Sequence, residues 1–521
     1  MKKKELSMMV SAVLTTMSLI AQADTGPSSS AAPYLQPLAA DISITSLLTA
    51  ADKAANGYRM VGLPDGLGAY SLSAKDFVVL MNHELGNTLG VPRSHGGIGA
   101  FVSEWVINKK TLEVVSGSDL IKDVYLWNSA LQSSESTPSA TPVSFSRFCS
   151  ADLPPVTAFY SPMTGKGTRS RIFLNGEEGG TTGWAVAHVA TGNSKGSSYI
   201  LGKFNLKTKG SGTDAVGGWE NLLANPYSKV KTVVIGNNDG GTGIMLNSVA
   251  VYVGTKTKIG SDVDKAGLTN GTLKFISVQG FADGLGTTTE EINNTTTRTT
   301  GIANGTPFTL SDTSVTTFSR PEDGAWANAT TFYFVTTDRL DNQDLKGGTQ
   351  QGGTRLWRLN FNNDYTGGTI DVVVDATKIP AGFGDKRPRM FDNISINDDG
   401  TISLLEDVGN AEHNGKTWLY NPRDESLTLQ TKFDPALFGD INPTTGVFTA
   451  GTHTKDEETS GIIDITKILN RRDKQTYNLL VAQDHAPAAD LLKIKAIDPT
   501  ANPVEVVEGG QVIVTSRPTI K

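Results

Sequence analysis

Residues 391–407 read FDNISINDDGTISLLED, the stretch around which the rest of the chain is organised. Two apolar-alternating runs flank Asn397-Asp398-Asp399-Gly400, and a turn of that composition between strand-like runs predicts a β-hairpin. Acid stands at both ends, with Asp392 entering and Glu406-Asp407 leaving. Paired strands lie about 5 Å apart, so Asp392 and Glu406 are expected at one pole of a sheet. Paired carboxylates there bind cations or move protons. The central NDDG lacks the spaced acids and distal Glu of a calcium loop, as does NNDGG at 237–241, and both are read as turns.

The arrangement recurs. The apolar run Phe77–Met81 stops at Asn82-His83-Glu84, and Arg171–Leu174 runs into Asn175-Gly176-Glu177-Glu178. Arg320-Pro321-Glu322-Asp323-Gly324 precedes TTFYFVTTD, which ends at Asp338. Further strand-like runs, among them KTVVIGNN, SVAVYVGT, LKFISVQGF, TRLWRLNF and KTWLYN, are separated by Gly and Asn turns, and the 55 glycines supply such turns throughout. The Thr- and Asn-rich stretch 285–306 reads as an exposed loop. An all-β chain follows, with a loose unit of acidic loop, strand, turn and aromatic strand. Radial four-stranded blades of about 40–50 residues produce that rhythm. The longer spacing here favours a six-bladed β-propeller with long loops and a few short helices, an array of β-sandwiches being the alternative.

Residues 1–23 have a basic start, an apolar centre and Ala21-Gln22-Ala23, the pattern of a secretory signal cut after Ala23. The Ser-, Ala- and Pro-rich stretch 24–41 reads as a flexible lead-in, and 42–521 as a single propeller-like domain. No later run approaches the roughly 20 apolar residues of a membrane span. The chain is therefore expected outside the cytoplasm, secreted or periplasmic, as a monomer. A net charge of -7 argues against nucleic acid and suits metal cations. Cys149, the one cysteine, cannot form an internal disulfide; it is either a buried apolar filler or a ligand.

No nucleophile elbow, HExxH helix, phosphate-binding loop or dinucleotide fingerprint is present. The chemistry on offer is acid at strand ends. An acid beside one turn is ordinarily just solvated, but strand ends from successive blades would converge on a central channel, where unpaired carboxylates repel unless cations lie between them. Hard oxygens suit Ca²⁺ or Mg²⁺ and also Fe³⁺, and a thiolate suits a softer or redox metal. Arg320, Arg387 and Arg389 stand just before Glu322 and Asp392; their forks could hold phosphate oxygens or balance carboxylates. His83 and His485 adjoin acids and are expected to hydrogen-bond.

These motifs, NHE at 82–84, GEE at 176–178, RPED at 320–323, the 391–407 element and ETSGIID at 458–464, resemble the secreted calcium-dependent alkaline phosphatases of the PhoX family. The resemblance implies a six-bladed propeller whose central iron and calcium ions hydrolyse small-molecule phosphate monoesters. It assigns Glu178, Glu322, Asp392 and Glu406 as metal ligands, Glu177 and Asp407 as ligands or their supports, and Cys149 as a thiolate ligand. The arginines would meet the phosphoryl group as catalytic residues. The family's cysteine usually stands in Cys-Ala-Gly-Gly shortly before the Glu pair, whereas this chain has RFCSADLPP well upstream. Its usual His-Glu has only Trp219-Glu220-Asn221 as a counterpart. The alternative function is a non-catalytic, calcium-stabilised propeller binding an extracellular ligand or partner.

Overall fold

The computed structural model describes residues 22–179, 182–207, 214–282, 301–337, 353–380, 387–409, 413–491, 498 and 500–521. Strands dominate it, with a few helices of three to five residues. Six antiparallel runs follow one another. Pro64–Ser71, Asp76–His83, Phe101–Asn108 and Val114–Asp119 form the first. Ile172–Gly176, Ala185–Val189 and Ser197–Ile200 form the second, edged in parallel by Asp123–Tyr125. A nine-stranded sheet holds the next two, Trp219–Ala224 to Thr272–Val278 and Pro321–Trp326 to Gly367–Asp375, with Thr306–Ser311 bridging them. Phe391–Ile396 to Ser426–Phe433 is the fifth. Glu457–Asp464, Gln475–Pro487 and Glu508–Pro518 make the sixth, which the early strand Ser43–Thr49 completes.

An apolar layer fills the space between each sheet and the next. Val78, Leu80 and Val102 meet Phe173, Val186 and Ile200; Leu174 and Tyr199 meet Trp219, Leu222 and Val234; Val233, Ile235 and Val251 meet Phe332, Phe334 and Trp357. Val335 and Leu356 pack on Ile394, Leu404 and Trp418, Leu405 and Phe433 on Ile462 and Ile513, and Leu479 and Val481 on Leu67, Phe77 and Trp105. Strands sandwiched this way are buried on both faces, which explains runs such as Val233–Ile235 that do not alternate. The first strands of the runs adjoin: Ile172–Gly176 lies against Trp219–Ala224, then Pro321–Trp326, Phe391–Ile396, Glu457–Asp464 and Pro64–Ser71 in succession.

Part of the stretch 24–41 is paired and buried. Leu35–Pro37 pairs with Thr431–Phe433 as an outer strand, and Tyr34 and Leu35 are buried. The apolar side chains Tyr34 and Leu35, set among Ser and Pro, find a groove beside Phe433 and Phe438 that composition could not announce. Gln22–Thr25 pairs in parallel with Ser43–Ser46, so the expected cut after Ala23 falls within a strand. Most of that signal segment, Asp338 and most of the 285–306 loop lie outside the described residues.

Candidate metal centre

Five of the six first strands carry acid at their starts, and in the sixth, Ile172–Gly176, Glu177 and Glu178 follow its end. In those five the pairing register shifts there, between Pro64 and Leu67, Trp219 and Asn221, Pro321 and Gly324, Phe391 and Ile394, and Ser460 and Ile463. Such bulges bend a strand and re-aim its side chains. Four overlapping groups result: Asp65, Glu84 and Cys149; Cys149, Glu178 and Glu220; Glu220, Glu322 and Asp392; and Asp392, Asp407 and Glu458. Within each group one ligand atom per residue lies within 4.8 Å of the others. Shared members link them into one chain of eight carboxylates and a thiol.

A polar scaffold holds the thiol. Asn82 Nδ2 donates to the Cys149 carbonyl at 2.6 Å, Asn175 Nδ2 donates to Asn82 Oδ1 at 2.9 Å, and the ring of His188 lies 2.9 Å from Asn175 Oδ1. The Cys149 thiol donates to Asp65 Oδ2 at 3.4 Å. Gly66 permits the approach, since a Cβ there would sit 2.4 Å from the Ala151 nitrogen. At the other end Asn393 Oδ1 accepts from the Gly461 N–H at 2.9 Å, and Gly461 holds a φ of +55° against Asp65.

Electrostatics make the cluster costly as bare anions. Burial, then Glu84 and Glu220, raises the Asp65 carboxyl; burial pushes Glu220 up to about 7. Burial likewise raises Glu178, Glu322, Asp392 and Glu458, and neighbouring carboxylates add to it in each. The Cys149 thiol is raised by burial and by Asp65. Asp392 Oδ1 and Glu458 Oε1 are buried and meet no hydrogen-bond donor among the described residues. Buried carboxylate oxygens without donors are what a cation site requires.

No family model matches the chain, and no curated protein is similar to it in sequence. Among solved structures, PhoX of Pseudomonas fluorescens, in complex with vanadate, a transition state analogue, superposes with a TM-score of 0.57 at 11% identity, over 92% of this chain and 95% of that one. The fold is that of PhoX. A polysaccharide lyase of family PL25, an ulvan lyase, reaches a TM-score of only 0.32 at 13% identity over 82% of this chain and 77% of its own, too loose to specify an architecture.

On this PhoX fold five of the expected ligands, Cys149, Glu178, Glu322, Asp392 and Asp407, come together. Two others stand apart from these groups. Glu406 Oε1 accepts from the Arg389 N–H at 2.9 Å and Trp418 Nε1 at 2.7 Å, and Oε2 faces Lys416 at 3.8 Å. Glu177 accepts from the backbone N–H groups of Ser146 and Trp184, each at 3.0 Å, and from Thr182. Side chains alternate along a strand, so Glu406 and Asp407 point opposite ways and only Asp407 reaches the cluster.

Arg320 borders the cluster, forked onto Asp239 at 2.7–3.0 Å and 3.4 Å from Glu322. Arg387 instead donates to the Ile379 carbonyl at 2.6 and 3.0 Å. Asp65 and Arg147 carried no sequence signal of function, although Pro64-Asp65-Gly66 echoes Pro321-Glu322-Asp323-Gly324 and could have been read beside it. His83 is a core residue, stacked on Phe101 at 4.3 Å and bonded to Ser103.

Proposed function

We propose that the protein is a secreted, metal-dependent phosphatase of small phosphate monoesters, a divergent relative of PhoX built as a six-bladed propeller and working as a monomer. The observation that carries this reading is the chain of nine ligand residues, seven buried and Glu178 and Asp407 half-buried, within 4.8 Å group by group, two of whose oxygens meet no donor among the described residues. The donor set fits hard cations: eight carboxylates suit Ca²⁺, and the thiolate of Cys149 with Glu178 and Glu220 suits Fe³⁺. Asp65, Glu84, Glu220 and Glu458 join Cys149, Glu178, Glu322, Asp392 and Asp407 as the proposed ligands, and Glu177 and Glu406 leave that set. Such cations, when bound, polarise a phosphoryl oxygen and offset the charge that builds on it. Arg320, held by Asp239 at the edge of the cluster, orients the substrate oxyanion. Arg387 and Arg389 are left to hold the segment before Asp392 and not to meet substrate.

Metal analysis and turnover of an aryl phosphate test the reading. Bound calcium and iron with turnover abolished by chelator is the expected result. Calcium alone with no turnover refutes the phosphatase and favours the non-catalytic calcium-stabilised propeller.

A further inference from the structure

Among the described residues, Arg320 and Arg147 reach the acidic chain, and they are engaged differently. Arg320 spends its Nε and Nη2 on Asp239. Arg147 leans on two of the proposed ligands themselves: Nε donates to Glu84 Oε1 at 2.7 Å, and Nη2 lies 2.6 Å from Glu84 Oε1 and 2.7 Å from Glu178 Oε2. Glu84 and Glu178 belong to different groups, so Arg147 spans the join at Cys149. Its side chain is 49% exposed while those of Glu84 and Glu178 are 5% and 10% exposed. The guanidinium therefore stands between the buried carboxylates and solvent, and its Nη1 donates no hydrogen bond among the described residues. A group serving only to neutralise two acids gains nothing from half exposure, which weakens each ion pair. Planar N–H donors facing outward beside cation ligands are instead the geometry that receives a tetrahedral oxyanion.

We infer that Arg147 is a substrate-binding residue, donating from its open edge to a phosphoryl oxygen at the Cys149 end of the cluster. This rests on the phosphatase reading above. It adds a second arginine to Arg320 and gives RFCSAD, whose sequence departs from Cys-Ala-Gly-Gly, a function of its own. Glu178 joins the two arginines: it is paired with Arg147 and lies close enough to Asp239, the anchor of Arg320, to feel its charge.

The experiment uses the full metal-loaded chain with inorganic phosphate as the probe, its affinity measured by calorimetry, beside the KM and kcat for an aryl phosphate. Arg147→Gln is expected to bind phosphate about 10- to 100-fold more weakly, the loss of a hydrogen bond to a charged group. Arg147→Lys, a point charge without the fork, is expected to fall between. Both are expected to keep the wild-type metal content and to raise KM more than they lower kcat. Unchanged phosphate affinity in both variants overturns the inference. So does metal loss from Arg147→Lys, which would make the arginine a support of Glu84 and Glu178. Wild-type protein that is metal-loaded yet neither binds phosphate nor turns over the ester overturns the phosphatase reading and the inference together, whereas turnover with unchanged variants overturns the inference alone.

Discussion

Glu458→Gln reverses its effect on stability according to whether cations are present. Glu458 shares a group with Asp392 and Asp407, one oxygen of each lying within 4.8 Å of the others. Two full charges 4.8 Å apart at an effective dielectric constant of 20 repel by about 3.5 kcal/mol. Burial and these neighbours raise the Glu458 carboxyl well above its usual range, which marks its charged form as the costly one without a cation. A neutral amide removes that repulsion and can donate to Asp392 Oδ1, which meets no donor among the described residues. The metal-free variant is expected to be more stable than wild type by about 1–3 kcal/mol, which for a protein of this size raises Tm by a few degrees. With calcium at 100 times its dissociation constant, wild type gains about 2.7 kcal/mol and the variant, missing a ligand, gains less. Thermal melts of both proteins, in chelator and across a calcium titration, read the crossing. A variant less stable than wild type in chelator, or an equal calcium shift in the two, refutes the shared-cation account.

Cys149→Ser is expected to lose iron and turnover while keeping calcium, measured by elemental analysis; retained iron removes the thiolate from the site. Gly66→Ala places a Cβ 2.4 Å from the Ala151 nitrogen and 2.5 Å from the Ser150 carbonyl carbon. It is expected to cost about 1–3 kcal/mol and to displace the Cys149 segment, so that denaturant melts and iron content fall together. Burial lowers His83 and His188 from 6.5 to about 3. The unfolded chain takes up these protons first as pH falls, so stability from each is lost below pH 6.5, about 2 kcal/mol apiece at pH 5. NMR of the rings is expected to show both neutral at pH 5; titration near 6.5 contradicts it.

The turn at 397–400 was legible in the linear chain, because hairpin turns are local, and so was the presence of acid at Asp392 and Asp407, whose service as ligands belongs to the proposal. So were the all-β class, from runs such as KTVVIGNN bounded by turn residues, and Cys149 as one of two open alternatives. Glu406 was not. It is adjacent to Asp407 and equally acidic, yet it faces Trp418 and Lys416, and only the register of Phe391 against Glu406 decides which of the two turns inward. Asp65 was equally silent, since its partners Cys149, Ser460 and Gln483 lie 84, 395 and 418 residues away.

The sequence by itself determined most of the strands from residue 42 on, their turns and the supply of acid, all properties set by neighbours within a few residues. The tertiary structure alone decided which acids share a site. Like charges gather only where bulges at the strand starts and the approach of six strands overcome their repulsion, and that balance depends on contacts between residues hundreds of positions apart.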